Sequence, residues 1–206
     1  NCTRRIVKPQ PTNEIQCPLG ICTDGDKSEI GKFAFSNHEY GGKMIFCKPP
    51  YQPGDILYVR ETWQYLYELD GNEQIIEDTG KYYYAATDTI TFNTYVDENG
   101  LKHEHVPWRP SIHMPKEAAR IWLKVTDVRV ERLQEITEDG AKAEGANFKN
   151  GKNVGFEEKM NRTAIERFAE IWNSTIKKAD LDRYGWDASP WVWVIEFERC
   201  EKPEEN

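Results

Sequence analysis

The clearest strand signal in the chain is the stretch W-V-W-V-I-E-F at residues 191–197. β-Branched and aromatic side chains dominate it, as they do in strands that pack a face into a core. Trp191 and Trp193 fall on the same face of such a strand, because side chains alternate with a period of two residues. We interpret both tryptophans as core residues, with a base-stacking platform as the alternative. A sheet containing this strand is the starting point for the fold.

Other segments supply further strands and two helices. Apolar residues at helical spacing predict an amphipathic helix from Ala164 to Thr175, and Thr137 caps a predicted short helix that ends near Gly145. Three more strands are predicted at 55–63, at 81–86 and at 120–130, the last as a strand pair or one bent strand. Irregular surface segments are predicted at 9–32 and 146–160. Together these elements predict an α+β fold, a small β-barrel flanked by at least two helices and interrupted by long inserted loops.

Length and composition fit one folded domain. The chain has 206 residues, of which 38% are hydrophobic and 30% charged. Its 7 Trp, 10 Tyr and 8 Phe separate it from disordered chains, which lack the large side chains that build a core. Neither an apolar run of roughly 20 residues nor a secretory signal pattern is present. We therefore expect a soluble, cytoplasmic protein with no membrane partner.

Charge is distributed unevenly along the chain. The formal net charge is −8, with a balance of +2 over residues 1–60 and −10 over the remainder. Proteins that coat duplex DNA are normally basic, because phosphate neutralisation supplies their non-specific affinity. The acidic balance argues against tracking along duplex DNA but permits a local basic site near the N-terminus.

The cysteines do not predict a metal site. Five of them are scattered at positions 2, 17, 22, 47 and 200, which suits free thiols in a reducing compartment. Cys17 and Cys22 would need Cys47 and His38 to complete a zinc site, and the second tight ligand pair typical of structural zinc is missing. The triplet His103-Glu104-His105 could chelate a metal, although an exposed polar loop is the simpler interpretation. We predict no metal and no other cofactor.

Two charged clusters are candidates for ligand binding. The N-terminal stretch places the Thr3 hydroxyl beside Arg4 and Arg5, a grouping that can hold an anion or polarise a carbonyl oxygen. Composition alone favours a solvated basic end over such a site. Arg60 and Glu61 lie within one predicted strand and point to opposite faces, so one of them needs a partner or a pocket. Glu61 fits a structural ion pair as well as a catalytic acid.

A proline-bounded loop, W-R-P-S-I-H-M-P at 108–115, brings together several functional groups. Trp108, Arg109, Ser111 and His113 are therefore candidate ligand-binding residues. A nucleophile and base made of Ser111 and His113 is disfavoured, because residues two apart rarely face each other and no strand–turn–helix elbow surrounds the serine.

Glu144 closes the predicted short helix. The helix dipole disfavours a negative charge at this end. Burial would raise the pKa of the carboxyl and make it a general acid or base near neutrality. From its spacing alone, however, we predict a surface position for Glu144.

Six segments occur in an order that is typical of one known family. They are T-R-R-I-V-K-P-Q-P at 3–11, P-G-D-I-L-Y-V-R-E-T-W at 53–63, W-R-P-S-I-H-M-P at 108–115, R-I-W-L-K-V-T-D-V-R-V-E-R-L-Q-E-I at 120–136, A-K-A-E-G at 141–145 and W-D-A-S-P-W-V-W-V-I-E-F at 186–197. Together they resemble the ASCH domain, a β-barrel of the PUA-like superfamily, in its phage and prophage branch. The resemblance implies one ASCH domain over residues 1–206, with insertions at about 14–50, 64–107 and 146–160.

The resemblance also implies roles for individual residues. The family motif is Gly-x-Lys-x-x-Glu-x-Arg, with Thr replacing Glu in some branches, and Thr3 and Arg5 fit its last two named positions. The motif lysine would fall immediately before Asn1, so we expect an N-terminally truncated chain. A small bacterial member hydrolyses N4-acetylcytidine with a Lys, a Thr and a Glu. Thr3 and Glu144 would take the threonine and glutamate roles, with Arg5 or a backbone N–H at the oxyanion.

Three functions follow as hypotheses. The first is binding of RNA, single-stranded nucleic acid or a nucleotide in a barrel cleft, where Trp63 or Trp108 would stack a base. The cleft would be surrounded by Thr3, Arg4, Arg5, Arg60 and Arg109. The second is an amidohydrolase acting on N4-acetylcytidine-like nucleosides, and the third is a phage-encoded interaction protein with an acidic surface. The sequence leaves the oligomeric state open.

Overall fold

The computed structural model describes residues 2–72, 74–88, 95–96, 100–103, 108–146 and 163–204. The chain divides into two units: Asn1–Asp55 with Lys124–Glu198 form unit 1, and Ile56–Leu123 with Arg199–Asn206 form unit 2. The strands are β1 (Cys2–Ile6), β2 (Cys17–Ile21), β3 (Phe33–Ser36), β4 (Met44–Cys47), β5 (Ile56–Tyr58), β6 (Trp63–Leu69), β7 (Ile75–Tyr84), β8 (Tyr95–Val96), β9 (Lys102–His103), β10 (Trp122–Arg132) and β11 (Trp191–Cys200). The helices are α1 (Glu138–Ala143), α2 (Ala164–Thr175) and α3 (Leu181–Tyr184).

The main sheet has the strand order β1-β11-β10-β5 and curls as half of a barrel. β1 pairs with β11 in antiparallel register, with Arg4 opposite Val194 and Ile6 opposite Val192. Residues directly opposite each other in such a pair share a face of the sheet. Cys2, Arg4 and Ile6 therefore lie on one face.

The two longer helices cover that face of the sheet. Val192 and Val194 belong to a buried cluster with Ala141 of α1 and with Phe168 and Trp172 of α2. Ala164, Phe168 and Trp172 recur every four residues, which places them on one side of α2. The Thr163 hydroxyl accepts from Glu166 N–H while the Glu166 carboxylate accepts from Thr163 N–H, a capping box that starts the helix.

A small second sheet covers the opposite face within unit 1. Its strand order is β2-β3-β4. Phe33 meets Trp193 edge to face at 5.9 Å, and Phe35 lies 5.2 Å from Trp191. The two strand tryptophans are buried, which confirms them as core residues.

Unit 2 is built around the β6–β7 pair. The pairing shifts register between Leu66 and Glu68, and β8 and β9 extend the sheet to the order β7-β6-β8-β9. Trp63, Tyr84 and Trp122 pack with Met114 and two alanines in the core of this unit. A short 3-10 turn at Ser111–His113 precedes β10.

Strands predominate and helices are few, which confirms the α+β class. The predicted bounds of α2 and the cap of α1 at Thr137 are also confirmed. The prediction of one strand over 55–63 is wrong. The segment contains β5 and the first residue of β6, and Arg60 and Glu61 lie in the link between these two strands. The inserted segments 14–50 and 64–107 were predicted as loops, but they contain the strands β2–β4 and β6–β9. The stretch 9–32, predicted to be irregular, contains β2. The apolar runs in these segments are too short and dispersed to predict strands.

The predicted loop at 146–160 falls outside the described residues except for Ala146. Among the helices that are described, none has the length and apolar character needed to cross a membrane. The single-domain assignment and the cytoplasmic location stay predictions.

Candidate functional site

The buried residue Arg4 is the centre of a charged cluster in unit 1. Strand alternation turns its side chain to the face of the sheet that carries α1, where only 4% of it is exposed. The guanidinium forms an ion pair with Glu144 and a second one with Glu131 of β10, with Nη2 and Oε2 at 3.2 Å. The Arg4 backbone N–H also donates to Glu144 Oε2 at 3.2 Å. One arginine thus holds two carboxylates from different elements.

Glu144 occupies the C-cap of α1. The Thr137 hydroxyl accepts a hydrogen bond from Gly140 N–H at the start of this helix, and Gly145 ends it with a φ of +88°. The carboxylate is 10% exposed. Burial raises the pKa of Glu144, while the hydrogen bonds and charge of Arg4 oppose that rise. The Glu144 carboxylate is therefore largely buried, and the surface position predicted from its spacing was wrong.

A second arginine extends the cluster along the sheet. Arg129 Nε donates to Glu131 Oε1 at 2.7 Å, and Arg129 Nη1 donates to Asp127 and Glu196. Burial alone would lower the pKa of Arg129, but the hydrogen bonds to these carboxylates raise it. Because Glu131 contacts both arginines, the charges form one continuous network. The sequence signal for it was the alternation of Asp127, Arg129 and Glu131 along a strand, which the sequence analysis missed.

A cavity of about 390 Å³, here called the Arg4 cavity, opens beside this network. It is lined by Cys2, Arg4, Arg129, Glu131, Glu135, Thr137, Asp139, Gly140, Ala143 and Glu196. Two arginines and four carboxylates give this lining a formal balance of −2. Arg4 Nε is buried and has no hydrogen-bond partner among the described residues. The lining suits a ligand that offers several N–H donors and one acceptor.

Thr3 and Arg5 lie on the opposite face of β1. Thr3 is paired with Ile195 and Arg5 with Trp193, so both point away from the face that Arg4 and Glu144 share. The exposed Arg5 guanidinium lies 5.7 Å from the centre of the Tyr51 ring. The structure therefore brings Arg4 and Glu144 together but does not bring Thr3 to Glu144.

Glu61 of unit 2 forms an ion pair. Its carboxylate accepts two hydrogen bonds from Arg120, at 2.8 Å from Nε and 2.6 Å from Nη2. The Arg120 guanidinium in turn lies 3.9 Å from the centre of the Tyr84 ring. This bidentate geometry is typical of a structural ion pair.

Trp63 is a core residue of unit 2. Only 5% of it is exposed, and Arg109 lies over its ring at 5.2 Å. No face of Trp63 is therefore open for stacking a base. Trp108, which precedes Arg109, is half-buried.

The remaining candidates of unit 2 are not arranged for nucleophilic catalysis. Exposed Arg60 donates to Ile112 O at 3.1 Å and to the Tyr58 hydroxyl at 3.2 Å. Ser111 is half-buried while His113 is exposed. No hydrogen bond between Ser111 and His113 side chains is found in the described part of the chain.

The metal interpretations gain no support. All five cysteines are free thiols, and the described residues contain no group of three His, Cys, Asp or Glu side chains able to hold a metal ion. Glu104 and His105 of the proposed chelating triplet lie outside the described residues.

No family model, curated protein or solved structure matches this chain. The arguments about function below therefore come from the residues and their geometry.

Proposed function

We propose that this chain binds a nucleobase-bearing ligand, either a nucleoside or one base of a single-stranded nucleic acid, in the Arg4 cavity. The observation that carries the proposal is the cavity lining, in which Arg4 and Arg129 lie with four carboxylates. Nucleobases present amino and ring N–H donors next to carbonyl acceptors. Carboxylates can accept from those donors while Arg4 donates to a carbonyl.

Size and charge narrow the ligand class. Small-molecule sites usually enclose about 300–1,000 Å³, and the cavity volume of about 390 Å³ lies in that range. The formal net charge of −2 on the lining residues repels phosphate groups. We therefore expect the base to enter and any phosphate to stay outside, with binding that depends weakly on salt.

Calorimetric titration with the four common nucleosides tests this function. Glu196 lines the cavity, whereas exposed Glu198 lies two residues further along the same strand and outside the lining. We expect Glu196→Gln to weaken nucleoside binding about tenfold, the effect of one hydrogen bond to a charged group. Glu198→Gln is the matched control and should bind as the wild type does. Equal weakening by both variants, or no binding at millimolar nucleoside, refutes the proposal.

Amide hydrolysis is the second candidate function, favoured by the contact of the largely buried Glu144 carboxylate, whose pKa burial raises, with Arg4 of the cavity lining. In this reaction the carboxylate would take a proton from water as the hydroxide oxygen bonds to the acetyl carbon of an N4-acetylated cytosine. The C–N bond then breaks, and the proton passes to the departing amine. Arg4 would stabilise the oxyanion. Because Thr3 lies on the other face, water and not the threonine hydroxyl would be the nucleophile.

Chromatography of N4-acetylcytidine incubated with the chain distinguishes the two functions. Release of cytidine and acetate that is lost in Glu144→Gln supports hydrolysis. Binding of the nucleoside without turnover leaves a recognition site and rejects catalysis.

We further propose that the fold is a PUA-like barrel of the ASCH type. Support comes from the quoted sequence blocks, which coincide with β1, β5, β10, α1 and β11. A crystal structure that superposes on no PUA-like barrel would reject this assignment. The phage origin and the interaction role of the acidic surface stay predictions.

A further inference from the structure

A second cavity in unit 1 differs in charge from the Arg4 cavity and shares no lining residue with it. Its volume is about 660 Å³, and we call it the Arg132 groove. It is lined by Gln10, Pro11, Thr12, Asn13, Gln16, Arg132, Asp182, Arg183, Ala188 and Pro190. Two arginines face one carboxylate, and the other polar groups are neutral amides and a hydroxyl. The lining therefore has a positive balance.

Arg132 is held in one orientation by uncharged neighbours. Its guanidinium stacks 4.4 Å from the centre of the Trp191 ring, donates to Ser189 O at 3.0 Å and donates to Gln16 Oε1. It forms no ion pair with any described carboxylate. Burial lowers the pKa of Arg132, and the charge of Glu135, which accepts from the Arg132 backbone N–H at 2.8 Å, opposes this shift. An oriented guanidinium with donors to spare is a preorganised anion site.

The acceptor for Arg132 is itself held in a strained conformation. Ser189 has a φ of +40°, a left-handed value that non-glycine residues seldom adopt. Its hydroxyl accepts from Gln134 N–H at 3.2 Å, which helps to hold this conformation. Strained residues of this kind persist where the surroundings over-determine them and are common at binding sites.

A second cation, Arg183, also lines the groove. Arg183 belongs to α3, which is anchored to α2 by a hydrogen bond from Trp172 Nε1 to Tyr184 O at 2.8 Å. The Arg183 guanidinium is exposed, lies over the Tyr184 ring at 5.0 Å and forms no ion pair with the described residues. Lys8 lies over the same ring at 5.8 Å. The groove lining therefore contains two arginines, and a third cation, Lys8, lies near the same tyrosine ring as Arg183.

An aromatic side chain lines an adjoining cavity. An adjoining cavity of about 450 Å³ shares Asp182 and Ala188 with the groove and contains Trp186, Asp187 and Asn173. Trp186 is half-buried and packs against Phe168, with ring centres 6.2 Å apart. The carboxylate of Asp187 is available to accept from a base. Cations in the groove and an aromatic with acceptors in the adjoining cavity match the phosphate and the base of a nucleotide.

We infer that the Arg132 groove binds the phosphate of a nucleotide, with Arg132 and Arg183 on the phosphate and the base against Trp186. This site goes beyond the nucleobase site in the Arg4 cavity and does not depend on it. The phosphate can belong to a free mononucleotide or to a single-stranded nucleic acid, and the two arginines would bind it in the same way in both.

Titrations of the whole chain with UMP, uridine, hexauridylate and inorganic phosphate, at 50 mM salt or below, test the groove. Tryptophan fluorescence and calorimetry provide the readouts. We expect UMP to bind at least tenfold more tightly than uridine, and Arg183→Gln to weaken UMP binding about tenfold. Lys178→Gln removes one exposed positive charge nearby but outside the lining, and it should change UMP binding less than twofold. Arg132→Lys keeps the charge but loses the planar fork, so it should also weaken UMP binding.

Each outcome separates this site from the Arg4 cavity. UMP binding that responds to Glu196→Gln and not to Arg183→Gln would place the nucleotide in the Arg4 cavity and overturn the groove. Equal weakening by Arg183→Gln and Lys178→Gln would mean diffuse electrostatics and would also overturn it. Inorganic phosphate binding as tightly as UMP would reject the contact with Trp186. Hexauridylate binding more tightly than UMP, with the same response to Arg183→Gln, would identify a strand as the preferred source.

Discussion

Replacing Arg4 with methionine should destabilise the protein through the carboxylate that it leaves behind. Arg4 is nearly fully buried, and Glu144 is 10% exposed. Methionine fills much of the same volume but leaves Glu144 without an ion-pair partner. Glu131 is less affected, because it is 23% exposed and keeps its hydrogen bond with Arg129 at 2.7 Å.

The expected loss follows from the cost of a buried, unpaired charge. Removing one partner of a buried pair costs roughly 3–5 kcal/mol. We expect about 3 kcal/mol for Arg4→Met at neutral pH, the lower end of that range, because Glu144 can take up a proton and so limit the penalty. For a chain of this size each kcal/mol lowers the melting temperature by about 2–4 °C, which gives a decrease of roughly 6–12 °C.

Urea unfolding followed by tryptophan fluorescence measures this loss. The double variant Arg4→Met/Glu144→Gln removes the charge as well and should recover about 2 kcal/mol. The pH dependence has a definite sign. Burial already raises the pKa of Glu144 in the folded state, and loss of Arg4 raises it further. A carboxyl whose pKa is higher in the folded than in the unfolded state favours folding while it is protonated. Its contribution to the unfolding free energy is therefore fully present below the ordinary pKa of about 4.3 and is lost as the pH rises through the folded pKa.

The difference in unfolding free energy between the single and double variants should therefore widen from about pH 4 to pH 7.5. Two results would refute this reasoning. One is an Arg4→Met protein within about 1 kcal/mol of the wild type at pH 7.5. The other is a double variant that is no more stable than Arg4→Met.

Three further predictions concern other parts of the molecule. A Cβ at Gly80 would lie 2.5 Å from Tyr65 Oη and 2.7 Å from Tyr67 Cε1. Gly80→Ala should therefore lower the free energy of unfolding in urea by about 1–3 kcal/mol. Gly71→Ala is the control and should lower it less, because the space around Gly71 is open. Thr163→Ala removes half of the α2 capping box and should cost about 1 kcal/mol; an unchanged unfolding midpoint would contradict the cap. Burial and the Glu144 charge raise the pKa of Cys2, so its alkylation, followed by peptide mass spectrometry, should reach half its maximal rate at a higher pH than that of an unperturbed cysteine. In Glu144→Gln this midpoint should fall. A midpoint unchanged by that variant would contradict the proximity of Cys2 and Glu144.

Local patterns were sufficient to predict several elements. The spacing of Ala164, Phe168 and Trp172 determines α2, and Thr137 marks the start of α1, because helix periodicity and capping depend on residues only a few positions apart. Aromatic and β-branched composition likewise identifies β11. The small strands β2, β3 and β4 were missed, since each is only four or five residues long and depends on partners for its conformation.

The candidate site was predicted only in part, because a site depends on which distant residues share a face. The sequence by itself placed Arg4 in a charged cluster and, through the family resemblance, made Glu144 a candidate, and it determined the α+β class and the core tryptophans. It could not pair these two residues across 140 positions, nor add Glu131 and Glu196 from other strands. Sheet register decided that Arg4 and not Thr3 faces Glu144, since a shift of one residue exchanges the two faces of a strand. Tertiary structure alone also separated an acidic cavity from a basic groove, because the charge of a cavity depends on which side chains surround it and not on their order in the chain.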